Sequence, residues 1–137
     1  MSAGRRRILP VQVRPSCING KGVFATADLP ARKKLGELTG QVVRLPQAWK
    51  QVERRAKIFM VELNPRQALD CTRGNALKHL NHACAPNCYL RIWHGRIEVY
   101  ALRAIQAGTE LTVDYGVTPH RGGMVCRCGA ASCRGKL

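Results

Sequence analysis

Apolar and polar residues exchange places along this chain mostly at a period of two, and one stretch changes to a helical period. Val11–Gln12–Val13 is a short strand by this pattern, and Asn19 to Ala25 is a glycine turn running into an apolar strand. Leu35 to Leu45 alternates loosely and contains Gly36 and Gly40, which predicts one strand with close backbone approaches. From Pro46 to Phe59 the apolar positions Trp49, Val52, Ala56 and Phe59 recur at three- and four-residue steps, so an amphipathic helix is expected there. Phe59 to Leu63 reads as a strand ended by Asn64–Pro65, and Asn75 to Leu80 as one or two helical turns after Gly74. Leu90–Trp93 and Arg96–Leu102 pair across a His94–Gly95 turn, and Ala107–Gly108 leads into a last strand, Glu110 to Asp114. The expected class is a β-rich α+β domain of several small sheets with one helix.

Composition narrows this. A length of 137 residues suits one domain with its own core. No apolar run approaches a membrane span, and Arg5, Arg6 and Arg7 are followed by no apolar stretch, so neither an anchor nor a signal peptide is expected. The expected location is intracellular: cytoplasm or nucleoid in a bacterium, a host nucleus for an effector. The 23 Lys and Arg against 8 Asp and Glu give a charge of +15, which favours nonspecific contact with nucleic acid. Aromatic residues make up 5% of the chain, and along the sequence none is interleaved with a basic cluster, so base stacking is not expected from the sequence.

The seven cysteines are Cys17, Cys71, Cys84, Cys88, Cys126, Cys128 and Cys133. An odd number with three crowded into the last dozen residues fits a metal better than a disulfide framework. Cys126, Cys128 and Cys133 supply three thiolates, and tetrahedral zinc wants a fourth, for which Cys84 and Cys88 both stand available. Cys17 and Cys71 are expected to pack as small apolar residues.

Three further segments carry chemistry: Gly20–Lys21–Gly22, Asn81–His82–Ala83–Cys84–Ala85–Pro86–Asn87–Cys88, and Glu110–Leu111–Thr112–Val113–Asp114–Tyr115. Each alone has an ordinary structural reading as a hairpin turn, a hydrogen-bonded loop or a strand end. Their order, followed by the C-x-C-x4-C tail, resembles the SET family of protein-lysine methyltransferases with its post-SET zinc module, in the minimal form found in bacteria and viruses.

That resemblance implies a leader at 1–10, a SET domain at 11–117 whose Asn81 and Tyr115 segments thread into a knot-like core, and a zinc-binding segment at 118–137. It implies that Gly20, Lys21, Gly22, Asn81, His82 and Tyr115 bind S-adenosylmethionine, Asn81 near the amino-acid end and the His82 backbone near adenine. It further implies that Tyr115 is catalytic, that Phe59 and Val113 line the lysine channel, and that Cys84 joins Cys126, Cys128 and Cys133 around one structural zinc. Asp70 and Lys78 fall at structural positions near the substrate groove. The implied reaction is methyl transfer from S-adenosylmethionine to a protein lysine, by a monomer or a homodimer. A bacterial source would make the substrate a chromatin-like basic protein, a ribosomal protein or a host histone. Two other readings compete: a zinc-containing module that binds nucleic acid or chromatin without catalysis, and a degenerate SET domain.

Overall fold

The computed structural model describes residues 9–18, 20–46, 60–114 and 133. Among these residues ten strands form three small sheets, accompanied by one short 3₁₀ helix. β1 (Val11–Pro15) and β2 (Lys21–Ala25) make an antiparallel hairpin in which Val13 faces Val23, with the inward positions apolar as the alternation requires. β10 (Glu110–Val113) pairs antiparallel with β2, and on its other side runs parallel to the two-residue β7 (Asn81–His82). The sheet order is therefore β1-β2-β10-β7.

A second sheet has the order β3-β9-β8, from Lys34–Leu38, Arg96–Ala101 and Cys88–Trp93. The β8–β9 turn is His94–Gly95, both at positive φ (48° and 72°), the backbone of a two-residue hairpin whose twist suits the flanking strands. On β9, Ile97, Val99 and Ala101 are wholly buried, while Arg96, Glu98 and Tyr100 project from the other side. The third sheet has the order β4-β6-β5, from Gln41–Arg44, Gln67–Asp70 and Met60–Asn64.

The 3₁₀ helix η1 (Ala76–His79) puts Leu77 at the centre of the core, with no exposed surface. Asn75 caps it, its Oδ1 accepting from Leu77 N at 3.2 Å and its Nδ2 donating to the Glu37 carbonyl at 2.6 Å. The cap thus fastens the helix to β3. Leu9 packs against the same core cluster.

The strand expected over Leu35–Leu45 is two strands in different sheets: β3 pairs with β9, and β4 pairs with β6. The break falls at Thr39–Gly40, where a Cβ on Gly40 would collide with the Asp70 carbonyl oxygen. Two backbones cross there, and the chain must change direction to clear the crossing. Leu45 and Pro46 open a helical turn, and the rest of the helix expected to Phe59 lies outside the described residues. The other expected elements stand within a residue or two of where the pattern puts them, whereas β6 (Gln67–Asp70) and β7 (Asn81–His82) are strands that the pattern did not predict. Cys71 is buried as expected, and burial pushes its thiol up to about 11. Cys17 corrects the expectation: it is exposed, because it sits in the β1–β2 connection, outside the layer that the strands cover.

Candidate active site

The glycine turn, the Asn81 segment and the start of β10 converge on one another although 60 and 29 residues separate their contacts along the chain. The side-chain amide of Asn81, 7% exposed, donates toward the Lys21 carbonyl (3.0 Å), the Glu110 carboxylate (2.9 Å) and Ser16 Oγ (3.1 Å). Ser16 Oγ lies 2.8 Å from each Glu110 oxygen and accepts from Ile18 N at 2.9 Å. Gly22 is buried against this group: a Cβ there would strike Glu110 Oε2 and lie 2.9 Å from its Cδ. Here the absent side chain lets backbone come directly against the polar cluster. Gly20, at φ 44°, makes the turn that delivers Lys21 and Gly22.

The Asn81 segment is held against β10 at both ends. Thr112 stands opposite Asn81 and Val113 opposite His82, and Ala83 N donates to the Val113 carbonyl at 3.0 Å. The Asn87 side chain continues the bonding, accepting from Thr112 N and donating to the Glu110 carbonyl. Buried His82 has Nδ1 3.6 Å from Asp114 Oδ1 and Nε2 3.4 Å from Cys84 Sγ. Val113 lies in the main core cluster with Leu111.

Near the expected substrate groove, Asp70 Oδ1 accepts from Thr72 N at 3.0 Å, and Lys78 Nζ donates to the Thr72 carbonyl at 2.7 Å. Both residues thereby order the loop before η1.

The two cysteines of the Asn81 segment part company. Cys88 opens β8 opposite Ala101, is 1% exposed within the main core cluster, and desolvation pushes its thiol up to about 11. Cys84 is half-buried and faces His82, and Cys133 is half-buried as well. Among the described residues no group of three or more His, Cys, Asp or Glu is placed to hold a metal. Cys126 and Cys128 lie outside the described residues, as do Phe59 and Tyr115; Tyr115 follows Asp114, the last described residue after β10.

Of the expected site, then, Gly20, Lys21, Gly22 and Asn81 are brought together, His82 and Val113 lie beside them on paired strands, and Cys84 lies in the bend that follows β7. Ser16 and Glu110 are members that sequence reasoning missed. Glu110 stood inside a quoted motif without a role. Ser16 followed by an amide two residues on is a local turn signal, but its 94-residue partnership with Glu110 leaves no mark in the sequence.

The sequence also resembles known proteins. The family model for the SET domain matches residues 20–116, and the chain belongs to that family. It is 34% identical over 133 residues to the histone-lysine N-methyltransferase trithorax of Drosophila melanogaster, covering 90% of this chain and 4% of that protein. It is 33% identical to the human histone-lysine N-methyltransferase 2B (90% of this chain, 5% of that protein) and 32% identical to the Arabidopsis thaliana histone-lysine N-methyltransferase ASHH1 (86% and 26%). The chain thus spans a small part of the length of these relatives. No helix among the described residues is long and apolar enough to cross a membrane.

Proposed function

We propose that this chain is an S-adenosylmethionine-dependent protein-lysine N-methyltransferase whose substrates include histones, and the observation that carries the reading is the parallel pairing of β7 with β10. That pairing sets Asn81 and His82 beside the strand that leads into Tyr115, and it presents Asn81 to the glycine turn. The relatives named histone-lysine methyltransferases support the reaction class and the histone substrate.

The residues fit the cofactor on two grounds. Gly22 offers a backbone surface with no Cβ in front of it, and the Asn81–Glu110–Ser16 cluster is a buried polar group suited to an amino-acid end carrying both an ammonium and a carboxylate. Gly20, Lys21, Gly22, Asn81 and the His82 backbone would hold S-adenosylmethionine, which when bound supplies a methyl group on a sulfonium and leaves as S-adenosylhomocysteine. The chain's own task is to accept lysine as the neutral amine. An apolar channel disfavours the ammonium by desolvation, and alignment of the amine with the methyl carbon lowers the barrier further. Tyr115 is assigned the orienting hydroxyl, with Phe59 and Val113 as channel walls.

One structural zinc on Cys84, Cys126, Cys128 and Cys133 completes the proposal. The burial of Cys88 and the accessibility of Cys84 support the choice between them. Zinc would fasten residues 118–137 to the Asn81 segment and so close a wall of the site. The reading places the protein inside the cell, working on chromatin or another basic assembly as monomer or homodimer.

The test is incubation with methyl-labelled S-adenosylmethionine and separated histones, ribosomal proteins and nucleic acid, beside Tyr115→Phe. Label on a lysine of a protein band that disappears in the variant is the expected result. Absence of label in every fraction, with cofactor binding intact by calorimetry, would leave a degenerate domain and overturn the assignment.

A further inference from the structure

The outer face of the β3-β9-β8 sheet brings together side chains that are dispersed in the sequence. On β8, Tyr89, Arg91 and Trp93 share that face, opposite Tyr100, Glu98 and Arg96 of β9. Tyr89 and Tyr100 stack with centroids 5.4 Å apart and planes 14° from parallel, and the Arg32 guanidinium lies 5.7 Å from the Tyr89 ring. Arg32 reaches this place from a turn in which it holds φ 67°, rare for a residue with a side chain, anchored by its N–H on the Ala101 carbonyl at 2.9 Å. At the other end Arg91 lies 4.5 Å over the ring of Trp93, a residue 47% exposed.

Charge on the face is unbalanced toward positive. Its two carboxylates are engaged: Lys34 Nζ lies 2.8 Å from Glu98 and 2.9 Å from Glu37, and Arg96 Nε lies 3.7 Å from Glu37. Arg32 and the exposed side of Arg91 have less acidic company among the described residues, Arg91 standing 4.0 Å from Glu98.

We infer that this face is a stacking platform for single-stranded nucleic acid, with Tyr100 and Trp93 receiving bases on the ring faces turned away from Tyr89 and Arg91, and Arg32, Arg91 and Arg96 meeting phosphates. An open antiparallel sheet displaying aromatic rings between cations suits unpaired bases, whose π faces a duplex hides. A net charge of +15 on the whole chain would draw any polyanion, whereas the rings add a preference that charge alone lacks. The platform is on a different sheet from the Asn81 site, and its occupation does not depend on methyl transfer.

The test is fluorescence polarisation of labelled ten-nucleotide oligo(dT) and oligo(U), a ten-base-pair duplex and a polyglutamate peptide. Wild type would be compared with Trp93→Ala, Trp93→Phe and Arg66→Ala, the last a charge removed from the β5–β6 turn. Trp93→Ala removes no charge, so single-strand affinity should fall about tenfold while its salt dependence stays put; Trp93→Phe should keep most of the affinity. Arg66→Ala should leave the preference for single strands intact. Whichever of oligo(dT) and oligo(U) binds tighter identifies the polymer. Equal binding of duplex and single strand, Trp93→Ala within twofold of wild type, or preference for polyglutamate would each overturn the inference.

Discussion

Asn87 bonds to Thr112 as though its side chain were one more residue of a strand. Its Oδ1 accepts from Thr112 N at 2.9 Å, while its Nδ2 donates to the Glu110 carbonyl at 2.8 Å. The side chain therefore extends the ladder that β7 begins, and it satisfies two backbone groups beside the core. Asn87→Ala should cost about 2–4 kcal/mol, the penalty for stranding a buried donor and acceptor together. Urea denaturation measures it, and a loss below the error of the fit would show that these bonds do not hold β10 in place.

Gly22 and Glu110 make a second testable pair. Gly22→Ala must displace the Glu110 carboxylate and with it the Asn81 amide. The expected result is at least tenfold weaker S-adenosylmethionine binding by calorimetry in a chain that still folds cooperatively. Adding Glu110→Asp, which withdraws the carboxylate by one methylene, should recover part of the loss. No recovery would mean that the cluster is not what the glycine protects.

The Lys34–Glu98 pair sets a pH dependence with a defined sign. The hydrogen bond from Lys34 holds the Glu98 carboxyl below its ordinary range, and the Glu98 and Glu37 carboxylates hold Lys34 above its own. A depressed carboxyl contributes stability above its unfolded value and loses it as pH falls through the folded one. A raised lysine contributes below its unfolded value and loses it as pH rises through the folded one. Glu98→Gln should therefore flatten the acid limb of a plot of Tm against pH, and Lys34→Met the alkaline limb. Parallel curves for wild type and both variants would show that the pair is neutral to stability.

Metal content separates the two cysteines of the Asn81 segment. Purified protein should carry one zinc per chain, lost in Cys84→Ser and kept in Cys88→Ala. The latter should be destabilised by about 1 kcal/mol through its core vacancy. Chelation should abolish methyl transfer while near-UV circular dichroism of the core persists. Zinc retained by Cys84→Ser would move the fourth ligand elsewhere.

How much of this could be seen in the sequence depended on range. The Asn75 cap, the His94–Gly95 hairpin and the strand pattern around Ile97, Val99 and Ala101 are set by residues within a few positions of one another. A period of two or a left-handed turn is written locally, and the SET motifs were legible by their order. The division of 35–45 into β3 and β4 was not, because its cause is the Asp70 backbone crossing at Gly40, thirty residues away.

Ser16 joins Glu110 across 94 residues, and Tyr89, Tyr100 and Trp93 share a face with three arginines only once β8 and β9 are in register. The sequence by itself determined the strand-rich class, the charge, the short turns and the motif residues, because these follow from side-chain chemistry and local backbone preference. Only the tertiary structure decided which carboxylate meets Asn81, which cysteine is closed into the core, and which aromatic rings stand between cations. Those are matters of distance in space, set by sheet register and chain crossing, to which separation along the chain gives no guide.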